Sequence, residues 1–156
     1  MENKNVILLV GAPGSGKTTW GKHYVESHPD FVRLCPDEFR AKFGTGEDDQ
    51  SVSGMAFAAT KSAMKNALDS GKSVLIDATN MYKKTRKDFI NISKEQKVPV
   101  LAVVFEATKD TLLERNKTRG KTGGRNVPEH VIDNMLAKYQ RPELGELNEV
   151  QFITKL

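Results

Sequence analysis

The chain alternates between short apolar runs and longer stretches in which apolar residues recur every three or four positions. Five runs have strand length: Val6 to Val10, Phe31 to Cys35, Ser73 to Asp77, Val98 to Phe105 and Glu149 to Ile153. Between them lie segments of helical period, Lys17 to Glu26, Asp37 to Phe43, Ser53 to Leu68, Lys83 to Lys94, Lys109 to Arg119 and Pro128 to Tyr139. Gly71 marks a stop after one helix, and Pro128 stands in the first turn of another, where its missing N–H is not needed. Strands spaced by helices predict βαβ units and an α/β fold with a parallel sheet covered on both faces. Ligands of such sheets gather at the carboxyl ends of the strands, so chemistry is expected just after each apolar run. No internal repeat or low-complexity tract breaks the pattern, and GTGEDDQ, Gly44 to Gln50, is the best candidate for a mobile loop.

The first run leads straight into GAPGSGKTTW, Gly11 to Trp20. Gly11, Gly16, Lys17 and Thr18 match the pattern G-x-x-x-x-G-K-[ST], between a strand and a helix as the motif requires. Its glycines let successive N–H groups point inward as an anion nest, and the helix beginning near Lys17 adds the positive end of its dipole. Lys17 is expected on the β and γ phosphates of a nucleotide and the Thr18 hydroxyl on Mg²⁺. Gly11, Pro13, Gly14, Ser15, Gly16, Lys17, Thr18 and Thr19 thus form the predicted nucleotide loop. Trp20 reads as helix packing rather than an adenine stack.

Composition narrows the picture. At 156 residues one domain is expected, and the single cysteine, Cys35, rules out an internal disulfide and reads as a buried thiol, consistent with a reducing cytoplasm. No apolar run approaches the ~18 residues of a membrane span or resembles a signal peptide, so a soluble, unexported protein is expected. The net charge is only +4, but it is concentrated: five basic residues and one acidic one lie between Glu114 and Asn126, and KKTRK at 83–87 holds four more cations. The rest of the chain is therefore net acidic. A cationic site on an acidic body suits an anionic ligand, although a solvated face would also account for residues 83–87.

The ends of the other strands supply candidate chemistry. After the second comes PDEFR, where Asp37 and Arg40 are three apart and share one side of a first helical turn. Asp37 could take a proton from an attacking hydroxyl, or could merely cap the helix; Arg40 could grip an anion on the acceptor. After the third, Asp77 closes the apolar run as a metal-binding carboxylate would, or as an ordinary strand-end aspartate, with Thr79 and Asn80 as polar contacts to substrate. After the fourth, Arg115 and Arg119 lie on one helix face and lead into GKTGGR, 120–125. That arrangement describes a cationic lid, in which Arg119 would neutralise transition-state charge, an interaction worth ~10³ or more in rate.

GAPGSGKTTW, PDEFR, DATN and RNKTRG followed by Val127-Pro128 resemble the phage-type 5′-hydroxyl polynucleotide kinases, over about Val6 to Tyr139. The resemblance implies an adenylate-kinase-like P-loop NTPase fold with strand order 2-3-1-4-5 and a helical lid at about 114–127. It also implies ATP and Mg²⁺, a 5′-OH end of DNA or RNA as acceptor, Asp37 as general base, Arg40 on the acceptor phosphate and Arg119 as catalytic lid arginine. The chain departs from that family at Ala78, where the phage-type enzymes carry an aspartate. A kinase of a small metabolite or nucleotide remains the alternative, because a fold does not fix its acceptor. A nucleotide-gated binding module would leave Asp37 and Arg119 without a task.

Overall fold

A computed structural model of the chain describes residues 3–44, 52–121 and 127–153. The GTGEDDQ loop from Thr45 onward and the 122–126 part of the expected lid lie outside the described residues.

Strand β1 (Val6–Val10) is buried at every position, as an unbroken apolar run with covering on both faces must be. It pairs in parallel with β3 (Ser73–Ile76) on one side and β4 (Val100–Phe105) on the other, Leu8 lying between Ile76 and Ala102. Strands β2 (Phe31–Leu34) and β5 (Glu149–Ile153) complete a five-stranded parallel sheet of order β2-β3-β1-β4-β5. This is the order that the family resemblance implies.

Alternation along the strands divides the core. Val6, Leu8, Val10, Val74, Ile76 and Val104 face helices α3 (Ser53–Asp69) and α4 (Lys83–Glu95), meeting Met64, Leu68, Phe89 and Ile90. Ile7, Leu9, Leu75 and Val103 face α1 (Lys17–Ser27) on the other side, with Trp20 and Tyr24 packed against them. Trp20 meets Phe105 edge-on at 5.7 Å and stacks on Tyr24 at 5.1 Å, so it does pack the helix to the sheet. A smaller cluster of Ala12, Met81, Leu112, Val127 and Ile132 seats α5 (Lys109–Lys121) and α6 (Glu129–Lys138) over the carboxyl end of β1. The Thr108 hydroxyl caps α5 by accepting from the Thr111 N–H at 3.3 Å.

Helix ends account for the one strand whose start differs from expectation. Helix α3 ends in a Schellman motif, with the Gly71 N–H on the Leu68 carbonyl and the Lys72 N–H on the Ala67 carbonyl. Helix α4 ends the same way, but Lys97 stands where Gly71 does, at φ 57°. The motif draws the Val98 N–H back onto the Ser93 carbonyl at 2.9 Å. Pro99 has no N–H to offer a ladder, so β4 begins at Val100 rather than Val98.

Candidate active site

The loop between β1 and α1 is shaped by close contacts. Gly14 has φ 89°, and a Cβ there would lie 2.6 Å from the Leu112 carbonyl oxygen on α5, so only glycine allows the two segments to approach. Gly16 caps α1 at φ 96° with no side chain to offer, and the first turn of α1 holds no acidic residue. The leading N–H groups and the positive helix end are thus left for an external anion. At the base, the Gly11 N–H donates to the Thr79 carbonyl at 2.9 Å, joining this loop to the one after β3. Ser15 is fully buried beneath the loop, whereas Lys17 is 7% exposed at its surface.

Among the described residues, two cavities open from this loop. The larger, of about 610 Å³, runs between the loop and α5 and is lined by Gly14, Gly16, Thr19 and Arg115 among others. Arg115 Nη1 reaches to 3.5 Å from the Gly14 carbonyl across it. The smaller, of about 330 Å³, lies under α2 (Pro36–Phe43) and α3 and is lined by Pro13, Asp37, Arg40, Asp77, Thr79 and Tyr82 among others. Lys17, Thr18 and Arg119 line both cavities. The two spaces therefore meet at a hydroxyl and two cations.

In the smaller cavity, the capping alternative for Asp37 does not hold. Cys35, in extended conformation, takes the N-cap position of α2 and Pro36 the first helical one, which places Asp37 inside the first turn. Its carboxylate Oδ1 accepts from Arg40 Nη1. Arg40 is 6% exposed and its Nε donates to Ser53 Oγ of α3 at 3.1 Å, so the pair is fixed from two helices. Cys35 is buried as expected, and burial, with the nearby Asp77 charge second, pushes its thiol up to about 11.

Asp77 is held by a residue that sequence reasoning did not single out. Arg33, on β2, donates from Nε at 3.0 Å and Nη2 at 2.8 Å to Asp77 Oδ2, and its Nη1 pairs with Glu38 on α2. Burial alone would lower the Arg33 value, but the Asp77 charge and hydrogen bonds outweigh it and hold the guanidinium above its ordinary range. Asp77 Oδ1 is buried with no hydrogen-bond partner among the described residues. A cation inside the apolar run FVRLC was the available signal.

Asn80 departs from expectation. Rather than facing substrate it is fully buried in a left-handed conformation, φ 48°, with Nδ2 donating to the Leu9 carbonyl at 2.8 Å. The turn that ends the DATN loop needs a residue tolerant of positive φ, and asparagine serves there as a brace. Arg86, counted from sequence within a surface cluster, also points inward. It is 0% exposed, donates from Nη1 to the Asn80 carbonyl at 2.7 Å, and pairs with Glu146 through Nε at 2.7 Å and Nη2 at 3.1 Å. Lys83, Lys84 and Lys87 remain exposed at the start of α4, beside Tyr82 and Thr85 of the smaller cavity.

No described helix is long and apolar enough to cross a membrane. The sequence pattern of the AAA domain family matches residues 6–142. The chain is 31% identical over 141 residues to the L-seryl-tRNA(Sec) kinase of Methanococcus maripaludis, covering 88% of this chain and 53% of that protein. It is 25% identical over 146 residues to the bifunctional polynucleotide phosphatase/kinase of Schizosaccharomyces pombe, covering 93% and 32%. The chain thus spans about half the length of the first relative and a third of the second. Among solved structures, a chain of the Pnkp1/Rnl/Hen1 RNA repair complex superimposes with a TM-score of 0.77 at 24% identity, covering 88% of this chain and 44% of that one. With a match along nearly its whole length, and with the nucleotide loop in place at the head of a 2-3-1-4-5 sheet, this chain belongs to the AAA domain family and has a P-loop fold.

Proposed function

We propose that the protein is a polynucleotide 5′-hydroxyl kinase that moves the γ-phosphate of ATP to the 5′-OH end of DNA or RNA, the whole of 1–156 acting as one kinase domain. The observation that carries this reading is the junction of two cavities at Lys17, Thr18 and Arg119, with the Asp37–Arg40 pair in the smaller one. ATP phosphates occupy the larger space over the anion nest, and the acceptor hydroxyl enters the smaller. Asp37 accepts the hydroxyl proton as oxygen bonds to the γ-phosphorus, and the bond to the bridging oxygen breaks to release ADP. Lys17 and Arg119 face the charge that develops on the transferred group. Arg40 offers a guanidinium to a phosphate on the acceptor, with Thr79 beside it.

The residues present fit a magnesium ion. Thr18 and Asp77 line the same cavity, and Asp77 keeps one buried carboxylate oxygen without a partner. No group of three or more His, Cys, Asp or Glu side chains suited to a metal occurs among the described residues. Phosphates and water would complete the shell, as is usual for this ion, which when bound neutralises charge on the phosphates.

A second reading follows from the 31% identity to a seryl-tRNA kinase: the accepted hydroxyl would then belong to an amino acid esterified to RNA. Incubation with γ-labelled ATP and Mg²⁺ separates the readings. A 5′-OH oligonucleotide and a nucleoside 3′-phosphate should both be labelled, and an unphosphorylated nucleoside poorly. Labelling of seryl-tRNA alone would select the second reading, and labelling of a small sugar or alcohol alone would exclude both.

A further inference from the structure

The arginine shared by the two cavities does not stand by itself. Asn116, one turn before it on α5, is 4% exposed and engaged by three groups. Its Nδ2 donates to the Val127 carbonyl, and its Oδ1 accepts both the Val127 N–H at 3.1 Å and Arg119 Nη2 at 3.1 Å. A carboxamide that satisfies the N–H and the carbonyl of one residue acts as a strand partner would, with one donor and one acceptor in fixed register. Val127 is itself 3% exposed, in the cluster with Leu112 and Ile132. The amide is therefore anchored to the start of α6 before it meets Arg119, and its second lone pair gives that guanidinium a fixed acceptor.

We propose that Asn116 is the positioning residue for Arg119, holding the guanidinium at the junction of the cavities so that it meets the γ-phosphate without first losing side-chain freedom. An arginine side chain has many rotamers to lose, so orienting it beforehand strengthens whatever contact it makes. Neither near-isostere does both parts of the task. Leucine has the shape but no polar atoms, and aspartate keeps the acceptors but sets a carboxylate against the Val127 carbonyl and binds Arg119 as an ion pair, in competition with phosphate.

This inference rests on the placement of Arg119 at the transferred phosphate. It is tested by calorimetric binding of a non-hydrolysable ATP analogue and of ADP to four proteins: the parent, Arg119→Ala, Asn116→Leu and the double variant. The quantity read is the preference for triphosphate over diphosphate, which does not depend on the acceptor. Arg119→Ala should lower this preference about tenfold, Asn116→Leu should lower it several-fold, and the double variant should be no worse than Arg119→Ala, because an effect exerted through a missing guanidinium cannot be lost twice. Independent losses that multiply in the double variant, or an unchanged preference in Asn116→Leu, would overturn the proposal while leaving Arg119 in its role. An unchanged preference in Arg119→Ala would instead remove Arg119 from the phosphate, and this proposal with it. Should Asn116→Leu not fold, Asn116→Asp carries the same comparison, with the same coupling to Arg119 expected.

Discussion

Asp37 and Arg40 lie one turn apart on α2, and their ion pair makes the roles of base and structural residue separable. Asp37→Asn leaves an acceptor for the Arg40 guanidinium but removes the capacity to take a proton. Phosphoryl transfer should drop by ~10² or more while the melting temperature falls by only a few degrees; near-normal turnover would assign Asp37 to structure alone. Arg33 behaves differently because it neutralises a fully buried charge, Asp77 being 2% exposed. Arg33→Met strands that carboxylate and should cost about 3–5 kcal/mol in urea denaturation, whereas Arg33→Met combined with Asp77→Asn should recover much of the loss. Equal losses in the single and double variants would mean that Arg33 stabilises by packing instead.

At the scale of elements, the helix ends α3–Gly71 and α4–Lys97 are a matched pair with one mismatch. Both close by the same two hydrogen bonds, but a side chain with a Cβ costs roughly 1 kcal/mol in the left-handed region. Lys97 is exposed and its position remote from both cavities, so Lys97→Gly should raise stability by up to about 1 kcal/mol, or ~2–4 °C, with activity unchanged. A lower melting temperature would show that unfolded-chain entropy outweighs the relieved strain. The elements themselves were legible because strands and helices of this chain differ in period, and the central apolar run needs no partner to be recognised. The start of β4 was not, since Val98 is apolar and β-branched yet its N–H is claimed by a helix end that periodicity does not register. In the site, Lys17, Thr18, Asp37, Arg40 and Arg119 stood out because each follows a strand of a parallel sheet, within a pattern of charge and hydroxyl suited to phosphates. Arg33, Arg86 and Asn116 did not, because whether a polar side chain turns outward or braces a loop depends on partners 44, 60 and 11 residues away.

At the scale of the molecule, the inward turn of Arg86 leaves Lys83, Lys84 and Lys87 as the exposed cations of the KKTRK segment. They crowd the first turn and a half of α4, which has no acidic residue in its first turn, at the end where the helix dipole disfavours positive charge. Replacing all three by Gln should therefore leave stability equal or slightly higher. If they track phosphates behind the accepted 5′ end, the same variant should flatten the dependence of log affinity on log salt by ~0.7 for each phosphate no longer neutralised, up to ~2 in all. The effect should appear with an oligonucleotide and vanish with a nucleoside 3′-phosphate. An unchanged salt slope would make these lysines a solvated face.

The Arg86–Glu146 pair also sets how the molecule comes apart. Glu146 precedes the edge strand β5, whereas Arg86 holds the turn that closes the smaller cavity on the far side of the pair. Fraying of an edge strand is ordinarily a local event that a protein survives at little cost. Here, opening that carries Glu146 away would strand a guanidinium in the interior and loosen the Asn80 turn, so the segment before β5 and the turn beside the smaller cavity should open together. A peptidase able to nick between Tyr139 and Glu149 would thus act as an inactivating agent from the opposite edge of the sheet, and bound substrate should slow the cut.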